Sequence, residues 1–96
     1  MIINNVLLKL KNRDEYIITK VQTALLSMKE RIDVLQDIKV ELNILPSASS
    51  YDLLLITKFN SLEDIDAYLV HPVHQEVSNY IVNVLDELAS LCYENK

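Results

Sequence analysis

From Ile2 to Leu10 the chain is dense in Ile, Val and Leu over a length suited to a strand, and a period of two puts Ile2, Asn4, Val6, Leu8 and Leu10 on one face. Asn4 therefore stands on an otherwise apolar face. Spacings of three and four take over at Ile17, Val21, Ala24, Leu25, Met28, Ile32 and Leu35, predicting a long amphipathic helix from Asp14 to Leu35. Asn12, with Glu15 three residues on, is its expected N-cap. Ile38, Val40, Leu42 and Ile44 then alternate with Lys39, Glu41 and Asn43 as a half-buried strand, which stops at Pro46 because proline cannot donate to a ladder. Pro46 to Ser50 reads as a turn. Tyr51 to Phe59 is apolar on both faces through Leu53, Leu54, Leu55 and Ile56, the pattern of a strand covered on both sides.

Ser61, with Asp64 three residues later, repeats the capping pattern, and Leu62, Ile65 and Leu69 mark a short helix that ends near Val70. His71-Pro72 restarts the helix: proline suits a first helical position, and the residue before it is pushed out of the α region. His71 is thus the expected N-cap. Val73, Val77, Tyr80, Ile81, Val84 and Leu88 form the next buried stripe, and Leu88 to Glu94 is expected to close the chain as a strand. The order is βαββαβ with the second helix broken. It predicts an α+β fold of ferredoxin-like topology, a four-stranded antiparallel sheet with its helices on one face. The first and third strands are apolar on both faces, however, and a monomer rarely exposes a contiguous apolar patch above a few hundred Å². A homodimer packed through the helix-free sheet face is expected.

Composition narrows the function classes. A chain of 96 residues, 50% hydrophobic and 24% charged, has room for one core and should be ordered almost from end to end. Apolar runs such as Leu53 to Ile56 fall far short of the ~20 residues that span a bilayer, and the N-terminus carries no apolar leader segment. No membrane contact and a cytoplasmic location are expected. Cys92 is the single cysteine; with two histidines it offers no metal-site spacing, which fits a reducing compartment and a protein without metal or cofactor. The net charge of −5, with Lys and Arg scattered singly, argues against nucleic acid as a partner. The chain has no glycine, which excludes phosphate-cradling loops and predicts turns without a left-handed residue.

Three blocks carry a family resemblance: Tyr51-Asp52-Leu53-Leu54-Leu55, Phe59-Asn60-Ser61-Leu62-Glu63-Asp64, and Ala67-Tyr68-Leu69-Val70-His71-Pro72-Val73-His74. With weaker matches at Val6 to Lys11, Asn43 and Tyr93-Glu94, the chain resembles the stress-responsive dimeric A/B-barrel (Dabb) family over nearly its whole length. The resemblance implies a βαββαβ protomer and a dimeric α/β barrel made from two facing sheets. Most members have no assigned activity. A plant branch contains polyketide cyclases in which a Tyr and a His act as an acid/base pair in a cavity between sheet and helices; by motif position these are Tyr68 and His74 here. The family's first strand usually carries a cavity-facing His where this chain has Asn4, and a turn Pro and a strand Gly common in the family are replaced by Asp33 and Glu41.

His74 is also the strongest candidate on residue pattern alone, since its helical phase lies between Ile81 and Leu85 in the apolar sector. A neutral imidazole there could act as general base, with Tyr68 orienting or protonating a carbonyl oxygen. The competing interpretation is a packed, hydrogen-bonded histidine. Asn4 and His71 are candidate ligand contacts, although capping accounts for His71 and an amide cannot transfer protons as an imidazole does. Cys92 is expected to be a small buried side chain, and Glu63, Asp64 and Asp66 a solvated first turn that complements the helix dipole. These features predict a small-molecule-binding dimer, extending to cofactor-free acid/base chemistry on a carbonyl compound. A non-catalytic, stress-associated interaction dimer is the alternative, and haem binding through His74 or His71 is a third, without a haem-specific motif in the chain.

Overall fold

Period-two alternation near the N-terminus becomes β1 (Ile2–Leu10), and the chain continues through α1 (Glu15–Leu26), β2 (Asp37–Leu42), β3 (Leu53–Phe59), α2 (Leu62–Val70), α3 (Pro72–Val84) and β4 (Leu85–Glu94). The computed structural model describes residues 1–96. The strands form one sheet in the order β2-β3-β1-β4 with every pairing antiparallel, the predicted ferredoxin-like α+β arrangement. The register sets Val6 opposite both Leu55 and Ser90, and Asn4 opposite both Thr57 and Cys92. Asn4 thus shares the helix-side face with Val6, Leu8 and Leu55.

The core lies between that face and the helices. Leu8, Leu10, Val21, Met28, Ile32, Leu53 and Phe59 are all buried there, joined by Tyr68, Val77 and Ile81. Asp52 is buried as well: its Oδ2 accepts from Leu10 N at 2.9 Å and its Oδ1 from Arg13 Nε at 2.8 Å. Arg13 also donates to the Ser47 and Ser50 carbonyls at 2.9 and 3.2 Å. The start of α1, the end of β1 and the β2–β3 loop are therefore tied by one carboxylate and one guanidinium, whose planar fork suits several acceptors at once.

Several boundaries differ from the sequence expectation. The first helix ends at Leu26 instead of Leu35; from Met28 onward N–H groups reach back three residues, Met28 to Leu25, Arg31 to Met28 and Leu35 to Ile32. Glu30 sits at φ 65°, a left-handed residue in a chain without glycine, so the turns are not free of that conformation. Met28 and Ile32 still bury their side chains, which prolongs the helical spacing beyond the helix itself. The N-cap is Asp14, not Asn12; Asn12 Oδ1 instead accepts from Asp14 N at 3.0 Å. The second strand stops at Leu42, leaving Ile44 96% exposed in the loop. The third begins at Leu53, after Asp52 has turned inward.

The later caps follow the sequence closely. Ser61 Oγ accepts from Asp64 N at 3.2 Å, and His71 Nδ1 accepts from Val73 N at 3.1 Å, with Pro72 opening α3. α3 passes straight into β4 at Leu85, so Leu88 belongs to the strand and not to the helix stripe. As the edge strand, β4 leaves Leu88, Ser90 and Cys92 exposed on the helix side, and Cys92 is a free surface thiol, not a buried one. No helix is long and apolar enough to cross a membrane. The opposite sheet face carries Ile3, Leu7, Leu54, Ile56, Ala89, Leu91 and Tyr93 with no helix over it.

Candidate functional site

A cavity of about 190 Å³ opens between the helix side of the sheet and the helices. β1 contributes Asn4, Val6 and Leu8 and β3 contributes Leu55, because alternation sends these residues to the same face. Tyr68 and Leu69 come from the end of α2, while His74, Val77, Ser78 and Ile81 come from α3 at the three- and four-residue spacing that keeps side chains on one helix face. Leu85 and Leu88 complete the wall from β4. The α2–α3 break lets Tyr68 and His74 meet: Pro72 ends one helix and starts another within a single residue of backbone turn at His71.

Tyr68 is buried, its ring tilted against Phe59 at 5.0 Å and against His74 at 4.4 Å between centroids. Its hydroxyl donates to Met28 Sδ at 3.8 Å, a weak acceptor. Burial pushes the phenol up to about 12, so it keeps its proton throughout the ordinary pH range. Tyr68 and His74 are thus in ring contact, with the Tyr68 hydroxyl directed to sulfur.

His74 is half-buried, and its Nδ1 lies 3.1 Å from the Leu69 carbonyl oxygen. A carbonyl can only accept, so Nδ1 carries the proton and Nε2 of the neutral ring keeps its lone pair. Burial lowers the imidazole pKa; the Leu69 bond works in the opposite direction, and the neighbouring His71 adds to the lowering. A neutral base results.

Of the four residues singled out in the sequence, the cavity gathers Asn4, Tyr68 and His74. The Asn4 backbone carbonyl takes a 3.5 Å bond from Thr57 Oγ1, while its side-chain amide makes no hydrogen bond to the rest of the chain. His71 is absent from the lining, and its Nδ1 is committed to the helix cap. Leu85 shares the cavity with His74, though from the strand beyond the end of α3 and not from the helix. Sequence reasoning missed Met28 as the hydroxyl partner and Ser78 as a polar wall residue. Ser78 could have been found from its i+4 spacing to His74; the Met28 contact, 40 residues from Tyr68, leaves no local pattern. No group of three or more His, Cys, Asp or Glu side chains gathers to hold a metal ion.

Solved structures share this architecture. A dimeric protein of unknown function from Bacteroides fragilis, with a ferredoxin-like fold, is 23% identical, with 98% of this chain and 95% of that one aligned and a TM-score of 0.85. An Arabidopsis thaliana protein is 16% identical over 100% and 96% of the two chains with a TM-score of 0.86. A hydroxynitrile lyase from Passiflora edulis is 13% identical over 96% and 90% with a TM-score of 0.83. At these identities the likeness is one of fold. No curated protein sequence matches the chain. The Stress Responsive A/B Barrel Domain matches residues 4–95, all three helices and the sheet except the first two residues of β1, and the chain belongs to that Dabb family.

Proposed function

We propose that the protein is a homodimer, joined through the helix-free sheet face, that binds a small molecule in the Tyr68–His74 cavity and supports cofactor-free proton transfer on a carbonyl compound. The observation that carries the chemistry is the pairing, in one cavity, of a neutral imidazole whose Nε2 has no protein partner with a protonated phenol whose only partner is a thioether. A ligand carbonyl oxygen is a better acceptor than sulfur and would take over the Tyr68 hydroxyl from Met28. His74 Nε2 would then remove a proton from the carbon next to that carbonyl. The imidazolium holds the proton, the electron pair moves onto the carbonyl oxygen, and the Tyr68 O–H stabilises the enolate. Return of the proton restores both partners, so no cofactor enters the balance. Asn4 supplies an amide contact and no proton transfer.

The dimer follows from the uncovered apolar face, since interfaces of this kind resemble a core cut in half. Neighbours from Bacteroides fragilis and Thermobifida fusca are described as dimeric, and one neighbour of the same fold is a lyase, which supports a catalytic use of the architecture. Sedimentation at micromolar concentration should give twice the chain mass; the monomer mass overturns the dimer. For the chemistry, acetophenone in heavy water should exchange its methyl protons faster with the protein than without it. His74→Ala should reduce that catalysed exchange about 100-fold, the usual scale of a general base. Exchange unaffected by His74→Ala overturns the assignment.

A further inference from the structure

With the cavity taken as a binding site, as proposed above, its walls define the charge and size of what it holds. Twelve of its fifteen lining residues are hydrophobic, the other three are Asn4, His74 and Ser78, and none is Asp, Glu, Lys or Arg. The mouth is no more polar: Leu69, Val82 and Leu88 line the cavity while 48%, 64% and 52% exposed. A carboxylate or phosphate entering here would give up water without meeting a counter-ion at the rim or at the bottom, and an unpaired charge is the group least tolerant of such a transfer. His74 does not supply the missing cation, because its Nδ1–H is already given to the Leu69 carbonyl and its other nitrogen offers a lone pair.

Volume sets the second limit. A protein cavity of about 150 Å³ lined by aliphatic and aromatic side chains takes up benzene. The present one, at about 190 Å³, adds room for one or two further non-hydrogen atoms on that scale, with a third reaching the open mouth between Leu69, Val82 and Leu88. Met28 and the Tyr68 ring on its wall are surfaces that favour a flat, polarisable guest.

We propose that the ligand is an uncharged carbonyl compound no larger than a single ring with a short substituent, and that the cavity discriminates against carboxylates and fused rings. The test is a titration of the full-length protein at neutral pH, following side-chain methyl resonances by NMR, with three probes: acetophenone, benzoate as its charged counterpart of matching size, and 2-acetylnaphthalene as its enlarged counterpart. Acetophenone is expected to move the methyls of Leu55, Ile81 and Leu88, with the other two at least about tenfold weaker. Benzoate or the naphthyl ketone binding at these methyls as tightly as acetophenone overturns the ligand class and leaves the binding site standing. No shift from any of the three overturns both. Acetophenone binding that survives alongside exchange insensitive to His74→Ala retains the ligand class and removes only the proposed chemistry.

Discussion

The two faces of the sheet come from the same four strands, and β3 supplies apolar residues to both, yet they end in different states. Leu53, Leu55 and Phe59 point toward the helices and are buried; Leu54 and Ile56, between them, stay partly open on the other side, and Leu91 beside them on β4 is 64% exposed. The helix side is finished within one chain, apart from a cavity where three helices and β4 do not close completely. The other side carries no helix and is left uncovered by the chain itself. At its border β2 places Asp37, Lys39 and Glu41 along the edge, with Lys58 Nζ 3.9 Å from Asp37 Oδ2, a charged rim to the proposed interface. Charges at the rim cost little in water and fix orientation more than they add affinity. One strand therefore serves two purposes, with alternate residues committed to the core, where Leu55 lines the cavity, and to the proposed interface.

The sharpest way to break this contrast is to put the same charge on each face. Leu55→Asp would bury a carboxylate at the cavity wall with no cation near it, and should cost at least about 3 kcal/mol of folding stability, leaving the protein largely unfolded near its normal working temperature. Leu91→Asp should leave the chain folded by circular dichroism and shift its sedimentation to the monomer mass. Equal melting temperatures for the two variants would show that the faces are not different in kind.

A second comparison lies at the end of the covered face, where the core is closed by a charge in place of a side-chain plug. Asp52→Ala strips Leu10 N of its acceptor and Arg13 of its ion-pair partner, and should destabilise by about 3 kcal/mol. Arg13 is partly solvated, so Arg13→Ala should cost less than Asp52→Ala. Urea melts of the two variants measure the difference, and the reverse order would show that the backbone contact is the minor one.

How much of this was legible in the sequence varied with the range of the interaction. Period two located β1 and β2, a run apolar on both faces located β3, the closing strand was expected from Leu88 and begins at Leu85, and Ser61 and His71-Pro72 located the α2 and α3 starts, because caps and proline act on the adjacent peptide units. The α1 end was not legible: Met28 and Ile32 keep helical spacing while lying in turns, the C-cap Ser27 is itself right-handed, and the left-handed residue of the turns that follow is Glu30, with no glycine to announce it. The helix-to-strand junction was equally silent, since Val84-Leu85 changes backbone conformation without Gly or Pro, so Leu88 fitted a helical stripe as well as a strand. Cys92 looked like a core residue by type, and it is solvent exposed because edge-strand position is a property of topology. For the site, helical phase and motif position placed Tyr68, His74 and Asn4 together, whereas the buried role of Asp52 depends on an arginine 39 residues away.

The two histidines three residues apart offer a finer contrast between scaffold and site. His71→Ala removes the acceptor for Val73 N and should lower stability by about 1 kcal/mol, with acetophenone binding unchanged. His74→Ala should leave the cap intact and reduce catalysed proton exchange by the same factor of about 100. A loss of exchange in His71→Ala at full occupancy of the fold would move His71 from the scaffold into the site.

The smallest effect is one of pH, and it separates a neutral His74 from a charged one. Burial holds its folded pKa below the ordinary 6.5 of the unfolded chain. Above pH 6.5 both states carry a neutral ring, and the stability that His74 contributes is fully present. As pH falls below 6.5 the unfolded state takes up the proton first, so stability declines until pH has passed the folded value. Native stability measured in urea should therefore show an acid-side slope that is reduced in His74→Ala, after subtraction of the carboxylate titrations common to both proteins. Catalysed exchange should follow the same group: flat from neutral pH upward, because Tyr68 stays protonated to about 12, and falling on the acid side with a midpoint below 6.5. A midpoint at or above 6.5 would mean that the ring is stabilised as a cation in the folded protein, which removes both the neutral base and the exclusion of anionic ligands that follows from it.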